Sequence, residues 1–403
     1  MNDQNPASHI PMSPERASWN YPTHILFGEG RIKELGDICK EKNIKKPLIV
    51  TDAGLASFDF IKNIKDSLVQ LKMPCQVFSQ VKANPNEQNI SCGVVAYNAG
   101  GHDGVIAIGG GSALDAGKAI ALMVGQSRSI WDFEDVADNW RQVNVRNMAQ
   151  VIAIPTTAGT GSEVGRASVI VHEEMAVKKI IFHPNMLPAT VILDPTLTKD
   201  LPPHLTAATG IDAFVHSLEA YCAPGYHPMA DGIAIQALGL IKIWLPLAFE
   251  NGQDLDARGH MLTASCMGAT AFQKGLGAVH ALAHPLGAVY DKHHGLLNAI
   301  LLPYVLQKNR SAIEEKVSDL CLFLNIDTSK SKSSFDGFYD WLMEFRASFG
   351  IPNTLMEIGI DASESKKIGE MAKKDPSAQG NPISFTANQY SEIFECAVKG
   401  DAS

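Results

Sequence analysis

The sequence contains no C-x-x-C pair, and its seven cysteines (Cys39, Cys75, Cys92, Cys222, Cys266, Cys321 and Cys396) are scattered and odd in number. This excludes a disulfide framework and a thiolate metal site, and it fits a reducing compartment. No Lys/Arg run breaks the acidic balance, a formal charge of −9, which argues against a nucleic-acid partner. No uninterrupted apolar run reaches membrane-spanning length, and the stretch from Met1 to Trp19 is polar and proline-bearing, without the apolar segment of a secretory signal. Internal repeats of 20–50 residues and low-complexity segments are also missing. The expectation is a soluble, cytoplasmic protein with no nucleic-acid or membrane partner, acting on a small molecule, with residues 1–20 as a loose extension.

What is present is a chain of 403 residues, 45% apolar and 19% charged, long enough for two cores. Continuous apolar runs at Pro47 to Val50, Gly104 to Ile108 and Val151 to Pro155 read as strands buried on both faces, and helical spacing fills the segments between. Strands alternating with helices predict a parallel α/β sheet over residues 21–200. Further strands are expected at Ala167 to Val171, Lys179 to Phe182 and Thr190 to Leu193, with Asp194-Pro195 ending this half. Residues 201–403 carry helical periodicity almost throughout, with helices expected at Leu205 to Cys222, Val279 to Val289, Leu296 to Lys308 and Ile313 to Phe323, among others. The fold class is α/β plus all-α: a variant Rossmann-like parallel-sheet domain followed by a helical domain.

Two constellations carry chemistry. The strand ending at Ile108 runs into Gly109-Gly110-Gly111-Ser112 and then a helical segment. Glycines let the backbone approach a pyrophosphate, and free amides at a helix start attract its charge, with Ser112 as the expected N-cap. Neither G-x-G-x-x-G nor the Walker lysine pattern is present, so this cradle departs from the usual fingerprints. Asp52, at the end of an early strand, is a candidate for ribose hydroxyls, although it precedes the cradle rather than following it. Thr156 to Glu163 supplies hydroxyls and flexible backbone beside the cradle.

The second constellation is a group of histidines around one aspartate. Asp212 and His216 stand at i and i+4, as do His280 and His284, so each pair can present one helical face to an ion. His293 or His294 can join them, and spacing does not choose between the two. One carboxylate with imidazoles suits borderline divalent metals such as iron or zinc better than calcium or magnesium.

Together these residues resemble the iron-containing (type III) alcohol dehydrogenases over nearly the whole chain. The matching motifs are Val50-Thr51-Asp52, Asn84-Pro85, Gly109-Gly110-Gly111-Ser112 with Asp115 and Lys118, Pro155 to Thr160, Asp194-Pro195, Ala207 to Ala213, and the histidine block. The resemblance implies Fe2+, or Zn2+ or another divalent metal, on Asp212, His216, His280 and His294, with His284 beside the nicotinamide as a proton relay. It implies NAD held by Asp52, Asn84, Gly110, Gly111, Ser112, Asp115, Thr156, Thr157, Thr160, Lys178, Leu197 and His284. It also implies a homodimer or higher homo-oligomer that interconverts a primary alcohol and its aldehyde with NAD(H).

Two departures bear on the substrate. Gly165-Arg166-Ala167 replaces the Thr-x-Phe of many members, and the segment between Phe272 and His280 is one residue shorter. Arg166, Phe272 and Lys274 are placed at the substrate pocket, where either cation favours an aldehyde bearing a carboxylate, so a semialdehyde or hydroxyacid dehydrogenase is the alternative. A lyase like dehydroquinate synthase is a more distant rival, because few Lys/Arg residues lie near the ligands.

Overall fold

The computed structural model describes residues 21, 23–175 and 177–401, so the extension expected over residues 1–20 lies outside the described residues. The first half alternates strands and helices: β1 (His24–Phe27), α1 (Leu35–Glu41), β2 (Pro47–Asp52), α2 (Asp59–Gln70), β3 (Gln76–Val81), α3 (Glu87–Gly100), β4 (Gly104–Gly109) and α4 (Gly111–Met123). It continues with β5 (Val151–Pro155), β6 (Ala167–His172), β7 (Val177–Phe182) and β8 (Thr190–Leu193).

Six of the strands form one parallel sheet in the order β1-β8-β5-β4-β2-β3. Because successive side chains alternate faces, Leu48, Val50, Val105 and Ala107 enter one core, while Ile49, Ile106, Ile108, Ile152 and Ile154 enter the other. Both faces are covered, which is why these strands read as unbroken apolar runs. Chain order reverses where β4 is inserted beside β2, and the carboxyl ends of strands at such a reversal are where α/β sheets bind ligands.

The expected strands β6 and β7 do form, but as a separate antiparallel hairpin. Its strands show why: β7 carries Lys178 and Lys179 and is only partly buried, whereas the sheet strands β4 and β5 are buried throughout. The hairpin packs on α4 and carries the 162–167 loop against the start of that helix.

The second half is helical: α5 (Pro203–Cys222), α6 (Pro228–Glu250), α7 (Leu255–Ala271), α8 (Ala278–Tyr290), α9 (His294–Leu324), α10 (Ser334–Ala347), α11 (Ser365–Lys374) and α12 (Ala387–Lys399). Where two helices are expected, at Leu296 to Lys308 and Ile313 to Phe323, α9 runs unbroken for 31 residues. The polar stretch between them does not end the helix, because Asn309 is buried and bonds Asn381 from within it. Among the described residues, α6 alone is long and apolar enough by composition to cross a membrane. It buries Ala230, Ala234, Leu238, Ile241, Leu245 and Ala248 on one stripe against α5 and α7, while Met229, Ile243 and Leu247 stay exposed on the other side.

Candidate metal centre and cofactor cleft

The helix α5 is buried over most of its length and carries Asp212 and His216 one turn apart. The first turn of α8 supplies His280 and the start of α9 supplies His294. One ligand atom from each of Asp212, His216, His280 and His294 falls within 4.8 Å of the others. The His216 and His280 rings stack with centroids 4.6 Å apart, and Asp212 Oδ1 lies 3.9 Å from His280 Nε2 and 3.7 Å from His294 Nε2. His284 is outside this group: its ring stacks on His294 at 5.3 Å, and its Nδ1 lies 2.9 Å from Asp375 Oδ2. The helical pairing of His280 with His284 is therefore not a pairing of two ligands, and of the two adjacent histidines it is His294 that enters the group.

The chemistry of this donor set fits a divalent cation. Burial lowers the His216 pKa to about 4, and burial together with neighbouring cationic groups holds His294 well below its usual range, so both imidazoles are neutral and keep a lone pair that could bind a metal. For His280, burial works against the charge, but Glu219 and Asp212 outweigh it and raise the pKa. A buried carboxylate converging with lone-pair nitrogens is stable only when positive charge lies among them. Asn298 contributes one donor, its Nδ2 2.7 Å from Asp212 Oδ1 and 3.2 Å from Nε2 of both His280 and His294.

Glu219, Asn298 and Asp375 do not feature in the sequence reading. Two of them have a helical signal, since Glu219 follows His216 by three positions on α5 and Asn298 follows His294 by four on α9. Asp375 has none, because it reaches His284 from 91 residues away.

A cleft of about 1350 Å³ opens along the carboxyl ends of β2, β4 and β5 and extends to Asp212, His293 and His294. Of the residues assigned to the cofactor, Asp52, Asn84 and Leu197 line it. So do Gly110, Gly111 and Ser112, together with Thr156, Thr157 and Thr160. Gly109 has a φ of 147°, which turns the chain from β4 into α4. A Cβ on Gly111 would sit 2.6 Å from Thr160 Oγ1, so glycine is needed for the two loops to close. The N-cap of α4 is Gly110, with no side-chain cap. Ser112 instead lies inside the first turn and donates its hydroxyl to the Ala83 carbonyl, leaving the amides of the helix start for an anion.

Three cofactor assignments fall outside the cleft lining: His284, already placed against His294 and Asp375, and Asp115 and Lys178. Asp115 is buried behind the cradle, accepting from Ser162 Oγ at 2.5 Å and Val169 N at 2.9 Å, with Lys118 at 3.3 Å. It faces away from the cleft because it is one turn into α4, on the side that packs on β6. Lys118 donates to the carbonyls of Ser162 and Ala167, so this pair pins the 162–167 loop to α4. Lys178 on β7 lies against Gly287 of α8, outside the cleft lining; burial lowers its pKa, and Asp115, Asp212, Asp291 and Asp375 oppose that.

A second cavity, of about 290 Å³, holds Arg166 and Phe272 with Asp135, Phe182 and Ser377. Phe272 reaches the metal group, its ring 5.2 Å from His216, and the Arg166 guanidinium lies 5.6 Å from the Phe182 ring. Lys274 does not line it. Its ammonium bonds the Tyr221 carbonyl at 3.2 Å and the Asp231 carboxylate, and its side chain is 2% exposed. The turn at Phe272–Lys274 directs residues 272 and 274 to different sides, so only the first meets the site.

Sequence and structure comparisons identify the family and the fold. Residues 22–195 match the family profile described as iron-containing alcohol dehydrogenase, and residues 206–398 match the profile of the C-terminal part of the same family. The chain is 34% identical over 379 residues to alcohol dehydrogenase 4 of Saccharomyces cerevisiae, covering 93% of this chain and 97% of that one. It is 34% identical over 383 residues to a 4-hydroxybutyrate dehydrogenase of Cupriavidus necator, covering 93% and 98%. A crystal structure of a 1,3-propanediol oxidoreductase superposes with a TM-score of 0.88 at 32% identity, covering 94% of this chain and all of the other.

Proposed function

The chain belongs to the iron-containing alcohol dehydrogenase family and interconverts an alcohol and its aldehyde, and within that activity we propose that the substrate is a short primary alcohol and the hydride carrier NAD(H). The observation that carries this reading is the cleft that runs from the carboxyl ends of the sheet strands to Asp212 and His294 of the donor group, with the smaller cavity separated from His216 by the ring of Phe272. We assign the larger cleft to the dinucleotide and the smaller cavity to the alcohol. Protein residues then place the two reactants on either side of a common centre, which removes the entropy cost of their encounter.

Asp212, His216, His280 and His294 would hold the metal, Fe2+ with Zn2+ as a substitute the same donors accept. When bound, it supplies Lewis acidity toward the alcohol or carbonyl oxygen, and the nicotinamide supplies the hydride site. Asp52 would accept from the adenosine ribose, the amides at the start of α4 would bind the pyrophosphate, and the threonines at 156, 157 and 160 would complete that wall. His284, its Nδ1 held by Asp375 and its ring stacked on His294, would receive a proton released from the alcohol and return it in aldehyde reduction. The cytoplasmic setting, which rests on the scattered, unpaired cysteines, and the homo-oligomeric state, which rests on the family resemblance, belong to the same proposal.

A carboxylate-bearing aldehyde is a second reading, favoured by Arg166 in the smaller cavity. Steady-state assays of alcohols and aldehydes with NAD(H), run on metal-stripped and metal-restored protein, test both. The expected result is NAD-linked oxidation of short primary alcohols that disappears on stripping and returns with metal. Full turnover by the stripped protein would sink the proposal.

A further inference from the structure

Glu219 is buried two turns beyond Asp212 on α5, and its carboxylate makes three contacts at the start of α8. Oε2 accepts from Gly277 N at 2.9 Å and lies 2.6 Å from His280 Nδ1, while Oε1 accepts from Val279 N at 2.8 Å. Between them stands Ala278 N, which donates to Asn381 Oδ1 at 3.0 Å. The N-cap residue of α8, Gly277, has no side chain with which to satisfy these amides, so Glu219 and Asn381 do it from outside the helix. Glycine is required there: a Cβ would lie 2.8 Å from Glu219 Oε1 and 3.0 Å from Asn381 Oδ1.

The contact with His280 fixes more than position. An ionised carboxylate only accepts hydrogen bonds, so in the neutral imidazole the proton sits on Nδ1 and the lone pair on Nε2. Nε2 is the atom turned toward Asp212 and Asn298. Nδ1 of His216 and of His294 are buried with no hydrogen-bond partner among the described residues, so of the three imidazoles in the donor group only His280 is oriented by a carboxylate.

We infer that Glu219 is a positioning residue for the metal centre: it sets the metal-binding tautomer of His280 and joins the helix carrying that ligand to the helix carrying Asp212 and His216. This rests on the proposed metal site. The same carboxylate settles the short segment before His280, whose Gly275 adopts a φ of 147° and packs on Gly380. Metal affinity and the geometry of that segment are thereby coupled through one side chain.

The test is Glu219→Gln, read by metal binding rather than turnover. Glutamine has one acceptor oxygen, so it satisfies either Val279 N or the Gly277 N and His280 Nδ1 pair, and its amide N–H groups oppose the remaining donor. Co(II) binding, measured by chelator competition, is expected to weaken by about 10- to 100-fold. The visible Co(II) bands are expected to change shape, which a general loss of packing would not produce in protein that stays folded. NADH affinity of the metal-free variant should stay within twofold of the parent. Unchanged Co(II) affinity and spectrum in folded Glu219→Gln overturn the inference. Should the variant fail to fold, imidazole 15N shifts of the metal-free parent decide: a His280 with its proton on Nε2 when neutral overturns the inference, and one with Nδ1–H supports it. A parent that binds no Co(II) overturns the proposed metal site itself, a different outcome from a parent and variant that bind equally.

Discussion

The two walls of the proposed active site offer a ligand opposite kinds of surface. The cleft wall at the ends of β2, β4 and β5 is built mainly from glycines, threonines and the free amides of a helix start, with Asp52 and Asn84 at its rim, so that shape does most of the work. The helical wall consists of one carboxylate and three imidazoles on α5, α8 and α9, where side-chain identity does the work. A ligand held by backbone is lost when an atom is added, and a ligand held by side chains is lost when a donor is removed. The largest predicted effects separate the two. Asp212→Asn should abolish stoichiometric metal binding and lower kcat by about a thousandfold, the loss of several kcal/mol of charge stabilisation, while NADH still binds. Gly111→Ala should do the reverse, because its Cβ meets Thr160 Oγ1 at 2.6 Å. There the Kd for NADH rises by about tenfold or more, equivalent to ~1.4 kcal/mol, and Co(II) binding is unchanged. Loss of both ligands in either variant, measured by dinucleotide fluorescence and metal titration, would break the division between the walls.

The same contrast explains what was legible in the sequence. On helices, ligand spacing survives as a pattern, so Asp212, His216 and His280 stand out before any fold is known. Glu219 and Asn298 stand at the same helical spacing, but a glutamate and an asparagine in a helix leave no mark distinct from ordinary helix residues, so they were not legible. Loop and strand contacts are less readable. Asp115 sits in a cofactor motif, yet it faces Ser162 and Val169, because one turn of helix separates the cleft side of α4 from its packed side. The β6 and β7 strands were legible as strands, and the two lysines of β7 mark it as unlike the fully buried strands of the main sheet, but their antiparallel pairing was not legible. Lys274 follows Phe272 by two residues, and a tight turn sends it to Asp231.

A middle-sized effect concerns the charges behind the cleft wall. Lys118 and Asp115 pin the loop, and Glu163 beside them is buried and raised from 4.5 to about 7. Burial is the main cause, partly opposed by its own backbone and by Lys118. The folded carboxyl holds its proton more tightly than the unfolded one, so the protein loses stability as pH rises from about 4.5 to about 7. Below that window the group costs nothing; above it the cost is on the order of 3 kcal/mol. Glu163→Gln should therefore raise Tm by several degrees at pH 8 and change it little at pH 4.5. An equal shift at both values, in thermal melts, would mean that Glu163 is not the titrating group. The metal wall should show no such gain, since removing Asp212 there takes away a ligand.

The smallest effect tests whether substrate choice belongs to the hairpin side or to the turn after α7. Arg166 is on the hairpin side of the small cavity, whereas Lys274 is engaged by Tyr221 and Asp231. Lys274→Ala leaves Asp231 without its partner, and because that carboxylate keeps 29% of its surface in solvent the cost is about 1–2 kcal/mol, a Tm decrease of a few degrees. The ratio of kcat/KM for a semialdehyde to that for a neutral aldehyde of equal length should stay within about twofold, since 1.4 kcal/mol is needed for a tenfold change and no charge reaches the cavity from Lys274. Arg166→Ala should lower the same ratio if carboxylate-bearing aldehydes are substrates. A ratio that moves with Lys274 and not with Arg166 would return substrate choice to the turn, and with it the shortened segment that Glu219 holds against α5.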